Sequence, residues 1–169
     1  NVSECFGDGL YFGRAYSPDG TSTGFIVSSV LFNENITIVG TIKATDNRRN
    51  NVSIISVDGF FCDAMALTKT TAGIAPDAGL DIEPNNIDER NSNINIGSIK
   101  SRGHDGAGFT LGLRNFNTTT DPVSIWIGNI NSKDDRDCFL STPGEIEGSI
   151  KIDTMNIECE ARRFAMRKT

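Results

Sequence analysis

The stretch IGSIKS, residues 96–101, recurs in variant form along the chain. VGTIKA occupies residues 39–44, IGNINS residues 127–132 and the weaker IDTMNI residues 152–157. A second apolar segment follows each copy. Counted from the second residue of the copy, it begins 12 residues later for the copies at 39–44 and 96–101, and 11 residues later for those at 127–132 and 152–157. A short unit that repeats in this way cannot bury its own apolar side, so the pattern indicates structural units stacked on one another.

The second segments place one apolar residue of each unit in a common register. This column contains Leu10, Val52, Leu80, Phe109, Phe139 and Phe164. A divergent copy of the repeat, FFC at residues 60–62, lies between VGTIKA and IGSIKS. The 42-residue interval between Leu10 and Val52 is long, so we expect an inserted loop near residues 14–24, followed by the extra strand FIVSSV. Apolar residues alternate with polar ones in each segment, which is typical of strands with one inward face.

These features predict an all-β fold, a right-handed parallel β-helix that forms a single domain over residues 1–169 with five to six coils. Coils stacked ~4.8 Å apart bury a continuous core and pair their backbones in parallel ladders. A β-sandwich with regularly spaced strands is the alternative, although the Asn-Gly dipeptide that favours tight hairpins is absent. Both ends fall inside coils, so we expect the chain to be a fragment of a longer helix.

Composition narrows the functional classes. The net charge of −6 disfavours a nucleic-acid partner, because phosphate binding needs basic surface. No apolar run is long enough to span a membrane. The four cysteines form no CxxC pair, and we interpret them as small buried residues, with a disulfide left open. Motifs for calcium, phosphate or a serine triad are missing, so neither a metal nor a cofactor is predicted.

Three stretches carry a family resemblance. They are GDGLYFG (7–13), DNRRNNVSIIS (46–56) and PDAGLDIEPN (76–85). Together they resemble pectate-lyase-like right-handed β-helices, the group that includes phage tailspikes and polysaccharide depolymerases. The resemblance implies a polysaccharide partner (capsular, O-antigen or pectin-like), glycan hydrolase or lyase chemistry, an extracellular or virion-tail location and a possible homotrimer. It covers the first half of the chain and does not specify the sugar.

The strand LDI presents two carboxylates on one face. Asp81 and Glu83 are two residues apart, which places their Cβ atoms ~6.5–7 Å from each other. Such a pair suits glycoside hydrolysis, in which one carboxyl group protonates the leaving oxygen and the other activates water or attacks. We assign the acid role to Glu83, bordered by Ile82 and Pro84, and the base or nucleophile role to Asp81. A solvated ion-pair ladder with Arg48 or Arg49 is the structural alternative.

Neighbouring coils add further candidates to this face. The outward register predicts a stack of Tyr11, Ser53, Asp81 and Thr110. At the rim we expect Asp8, Arg48 and Arg49 as substrate-binding groups and His104, the only histidine, as a catalytic base in a lyase. Asp8 between two glycines is equally well explained as a turn residue, and a lone corner histidine as a surface residue.

Trp126, the only tryptophan, should face outward between Asn95 and Lys151 of adjacent coils. An exposed tryptophan serves as a sugar platform or as an interface anchor. The leading function is therefore a glycan-binding and glycan-degrading β-helix. A non-catalytic glycan-binding or adhesive module, or a structural spacer of a fibre, are the competing hypotheses.

Overall fold

The computed structural model describes residues 1–13, 32–70, 77–117, 121–142, 146–159 and 164–166, the backbone alone for 138–142 and 164–166. No helix occurs among them. The expected insertion at residues 14–24 and the strand FIVSSV lie outside the described residues. The strands are β1 (Val2–Ser3), β2 (Leu10–Phe12), β3 (Asn33–Asn47), β4 (Val52–Ile54), β5 (Val57–Thr70), β6 (Leu80–Ile82), β7 (Asn91–Arg102), β8 (Ala107–Gly112), β9 (Val123–Lys133), β10 (Asp137–Thr142), β11 (Gly148–Glu158) and β12 (Phe164–Met166).

Two six-stranded sheets contain these strands. One has the order β1-β3-β5-β7-β9-β11 and the other β12-β10-β8-β6-β4-β2. Every pairing is parallel. Successive strands alternate between the two sheets as far as β12, so each long strand is followed by a short one in the opposite sheet. The all-β, parallel architecture expected from the repeat is confirmed. The alternative of a β-sandwich with antiparallel strands is wrong for the described strands.

The register of the second sheet agrees with the sequence column residue by residue. Leu10 pairs with Val52, Val52 with Leu80 and Leu80 with Phe109. Phe109 in turn pairs with Phe139, and Phe139 with Phe164. The side chains of Val52, Leu80 and Phe109 are fully buried, and that of Leu10 packs against the same core.

The inward alternation of the long strands breaks at regular places. In β5 the buried positions are Val57, Phe60, Cys62, Met65, Leu67 and Thr70, with steps of two or three residues. Two of the three-residue steps contain a residue with positive φ, Gly59 at +82° and Lys69 at +50°. Asn35 and Asn93 occupy the first of these places in the neighbouring strands, with φ of 54° each. A left-handed residue turns the strand and restores the inward phase on the far side of the bend.

One part of the register prediction is wrong. Ile38, not Val39, aligns with Ile96, through Cys62, and the pairing shifts by one residue before Thr41. The shift is a β-bulge in which Val39 is 83% exposed and Gly40 has a φ of +93°. The extra residue restores alignment from Thr41 onward, which is why the copies still match in sequence.

Candidate functional site

Four polar residues stack across the second sheet as the sequence predicted. Tyr11 pairs with Ser53, Ser53 with Asp81 and Asp81 with Thr110. The stack is far less exposed than an outward face was expected to be: Ser53 and Asp81 are 1% exposed and Thr110 6%, whereas Tyr11 is 43% exposed. The expectation of an open outward face is therefore wrong for the three central residues.

Asn50, which the sequence analysis did not select, organises this stack. Its Nδ2 donates to Ser53 Oγ at 3.0 Å and to Asp81 Oδ2 at 3.1 Å. The Ser53 hydroxyl donates to Asp8 Oδ2 at 2.9 Å, and Asp8 Oδ1 accepts from the backbone N–H of Asn50 at 3.1 Å. Asp8 is thus part of the cluster rather than an isolated turn residue. We name Asp8, Asn50, Ser53, Asp81 and Glu83 the carboxylate cluster.

One polar atom of the carboxylate cluster and one of the adjacent strand lack a hydrogen-bond partner among the described residues. Asp81 Oδ1 and Thr110 Oγ1 are buried and have no hydrogen-bond partner among the described residues. They belong to paired positions on adjacent strands. A buried polar atom without a partner carries a desolvation cost of about 1–3 kcal/mol, so such atoms point to a bound group or to a functional requirement.

The pKa of Asp81 is raised from 3.8 to about 7. Burial is the largest cause, since it disfavours the charged form, and the charge of Glu83 acts in the same direction. The Arg49 charge opposes the shift without cancelling it. At neutral pH this carboxyl group is therefore protonated in a large fraction of molecules and can donate a proton.

Glu83 differs from Asp81 in its surroundings. Its side chain is 20% exposed and its Oε1 lies 2.9 Å from Nη2 of Arg114. A Cβ atom at Gly112 would approach the Glu83 carboxyl carbon to 3.1 Å, so glycine leaves room for this side chain. These surroundings differ from those assumed in the sequence-based assignment: the pKa of buried Asp81 is raised, whereas Glu83 is ion-paired with Arg114 and partly exposed.

The predicted basic rim is only partly assembled. Arg49 Nη1 lies 3.5 Å from Asp8 Oδ2, which joins Arg49 to the carboxylate cluster. Arg48 instead stacks on the ring of Phe6, with its Cζ 4.5 Å from the centroid. Among the described residues Glu83 pairs with Arg114, and the expected direct ion pairs of Asp81 and Glu83 with Arg48 or Arg49 do not form.

His104 lies in the interior of a corner rather than at the rim. Its side chain and that of Asp135 are both 0% exposed, and Nδ1 is 2.7 Å from Asp135 Oδ1. Asn51 Nδ2 lies 2.9 Å from Nε2. Asn51 Nδ2 also donates to the backbone carbonyls of Thr68 and Lys69. These contacts identify it as the amide nitrogen, so it is the donor in its contact with His104.

In this arrangement Nε2 of His104 accepts from Asn51, and Nδ1 donates to Asp135. Burial raises the pKa of Asp135, but the hydrogen bonds from His104 and Ser132 outweigh it and the net pKa is lowered. Both ring nitrogens are engaged inside the protein, so the structure does not bring His104 to the carboxylate cluster as a base. Sequence reasoning missed Asp135, although Ser101–His104 and Ser132–Asp135 share one spacing in the repeat.

Trp126 lies where the register placed it, on the outer face of the first sheet. It pairs with Asn95 on one side and Lys151 on the other, while its chain neighbours Ile125 and Ile127 are buried. Its indole Nε1 donates to Asp153 Oδ2 at 3.0 Å. Trp126 therefore belongs to a different surface from the carboxylate cluster.

Within the described part of the chain, no group of three or more His, Cys, Asp or Glu residues could hold a metal ion, and no helix is long and apolar enough to cross a membrane. Cys5 and Cys62 are free, whereas Cys159 is disulfide-bonded. Comparison with family models, with curated proteins and with solved structures finds no match.

Proposed function

We propose that this chain is part of a right-handed parallel β-helix that binds and cleaves a polysaccharide, with Asp81 as the proton donor. The solenoid proposal is supported by the alternation of successive strands between two parallel sheets. It is also supported by the backbone register of one column of positions, which runs unbroken through six strands of the second sheet. Stacked coils are the simplest chain path that satisfies both.

The observation that carries the catalytic proposal is the contrast between two carboxyl groups on one strand. The pKa of Asp81 is raised to about 7, and Glu83 is held beside the Arg114 cation. Pairs of titratable groups with divergent environments are how one site provides an acid and a base at neutral pH.

In the hydrolytic reaction Asp81 protonates the glycosidic oxygen as the bond to the anomeric carbon breaks. At the same time Glu83 either takes a proton from the attacking water or itself attacks the anomeric carbon. In the second case water, deprotonated by Asp81, then cleaves the glycosyl ester and frees Glu83. Thr110 Oγ1 and Asp81 Oδ1, both unsatisfied, are the atoms free to contact the sugar. A lyase reaction is less well supported, because the only histidine is engaged inside the corner.

Substrate access requires local rearrangement, since Asp81 is 1% exposed. The Asp8–Arg49 contact is the movable part of the cluster: it is long, at 3.5 Å, and the Arg49 side chain is 39% exposed. Displacing Arg49 toward a sugar carboxylate or hydroxyl would open the face of the stack.

The test is incubation of the protein with a panel of capsular, O-antigen and plant polysaccharides, with product detected as new reducing ends. The proposal expects oligosaccharide release that Asp81→Asn and Glu83→Gln each lower by ~10²–10⁴-fold, the usual contribution of one acid–base group. New ultraviolet absorbance would identify a lyase instead.

A non-catalytic glycan-binding module is the second candidate, and the burial of Asp81 favours it. In that case polysaccharide binds, no product forms and both variants bind as the wild type does. We also propose an extracellular or virion-tail location, which the disulfide of Cys159 supports, and a homotrimer as the native assembly.

A further inference from the structure

The outer face of the first sheet carries a second ordered row of side chains. Thr37 pairs with Phe61, Phe61 with Asn95, Asn95 with Trp126 and Trp126 with Lys151. Phe61 is 47% exposed although it is large and apolar. This row belongs to the opposite sheet from the carboxylate cluster, and the proposed cleavage reaction makes no use of it.

A groove of about 220 Å³ lies beside Phe61 in this row. Its polar lining comes from Asn35, Thr37, Asn93 and Asn95, and its remaining lining from Ile36, Gly59, Phe60 and Phe61. A Cβ atom at Gly59 would lie 3.2 Å from Asn35 Oδ1, so the glycine keeps the bottom of the groove open. None of these eight residues is charged.

The polar groups of this face are held in fixed orientations. Asn93 Nδ2 donates to Asp58 Oδ1 at 2.8 Å, and Asn95 Nδ2 donates to the backbone carbonyl of Asn93 at 3.1 Å. The Trp126 ring packs over Gly128, where an added Cβ would approach the ring to 3.2 Å, and its Nε1 donates to Asp153. Groups that are already ordered lose little conformational entropy when a ligand binds.

We propose that this face, defined by Asn35, Phe61, Asn93, Asn95 and Trp126, binds a neutral oligosaccharide. One sugar ring stacks on Phe61 with its hydroxyls on the asparagine amides of the groove. The oligosaccharide then continues across Asn95 toward Trp126, which lies two strands and ~10 Å from Phe61. An aromatic face and a few oriented polar groups in a concave site are what ring stacking and hydroxyl recognition need.

The chemistry of the lining selects this occupant. An acidic sugar or an acidic peptide would find no cation among the eight lining residues. A peptide cannot add as a strand here, because β5 already pairs with β3 on one side and β7 on the other. The inference holds whether or not the carboxylate cluster cleaves glycans.

Trp126 provides a direct readout, because it is the only tryptophan in the chain. The fluorescence of the protein is titrated with cellohexaose, mannohexaose and maltohexaose, and with hexagalacturonate as the charged counterpart. Two-dimensional NMR follows the side-chain amides of Asn93 and Asn95 in the same titrations. The proposal expects a saturable change in both signals with at least one neutral hexaose and a weaker response to hexagalacturonate.

Two variants and one control complete the test. Phe61→Ala and Asn95→Ala should each weaken binding of the neutral hexaose by at least tenfold, while Val39→Ala, at an exposed residue outside the groove, should bind as the wild type does. The proposal is overturned by any of three results: no saturable change with any neutral hexaose, binding unaffected by Phe61→Ala, or preference for hexagalacturonate.

Discussion

Asp81→Asn should make the folded protein more stable at pH 8 and leave its stability almost unchanged at pH 4. The asparagine resembles the protonated acid in shape. Its amide oxygen can accept from Asn50 as Asp81 Oδ2 does, and its NH2 group would occupy the position of the unsatisfied Oδ1. The variant therefore removes a buried negative charge without removing a hydrogen bond.

The magnitude follows from the raised pKa. For an acid whose folded pKa exceeds its unfolded value, the unfolded chain releases the proton first, so stability falls as the pH rises from 3.8 to about 7. At 1.36 kcal/mol for each tenfold change, ionised Asp81 costs about 4 kcal/mol at pH 8. In a protein of this size that corresponds to a melting temperature roughly 10 °C higher for the variant.

Urea unfolding followed by far-ultraviolet circular dichroism measures the difference at each pH. Asp58→Asn is a control of opposite sign, since hydrogen bonds from Asn93 and Arg90 lower the pKa of Asp58. That variant should lose stability at pH 8, and the loss should shrink as the pH falls through 3.8. A destabilised Asp81→Asn at pH 8, or an equal gain at both pH values, would refute the reasoning.

Three other predictions concern the scaffold. Asp135→Asn should lower the free energy of unfolding at pH 7 by about 2–3 kcal/mol, because it replaces a buried charged acceptor of His104 and Ser132 with a weaker one. Since the pKa of Asp135 is lowered, the difference between variant and wild type, measured by urea melts, should vanish as the pH falls below 3.8. Gly97→Ala should cost about 1–3 kcal/mol, since its Cβ would lie 2.5 Å from the Asp63 carbonyl, whereas Gly7→Ala, with nothing within 4 Å, should unfold at the wild-type urea concentration. No described strand pairs with the outer edge of β11, so light scattering should find this chain self-associated, and a stable monomer would contradict that expectation.

The scaffold was predictable because its signals are local and repeated. The paired column of positions from Leu10 to Phe164 and the outward pairing of Trp126 with Asn95 and Lys151 both follow from one spacing and from strand alternation. Val39 was misplaced because its apolar side chain and the following glycine imitate the Ile-Gly pair of the other copies, whereas the residue that aligns with Ile96 is Ile38.

The candidate site was predictable in its membership and not in its electrostatics. Asp81, Ser53 and Thr110 could be stacked from the register alone. Their burial could not, since it depends on groups such as Asn50 that reach the stack from the adjoining turn. That burial raises the pKa of Asp81, the residue expected from sequence to act as the base. His104 is engaged by Asn51 and Asp135 away from the site.

The pH dependence of polysaccharide cleavage tests most directly the claim that Asp81 is the acid of a glycan-cleaving site. With a polysaccharide that the protein cleaves, kcat/KM should fall above a pH of about 7, tenfold for each further pH unit. Asp81→Asn should remove that limb together with most of the activity, while its fold and its hexaose binding at Trp126 remain. Cleavage that Asp81→Asn leaves unchanged, or the absence of product from every polysaccharide of the panel, would contradict the claim.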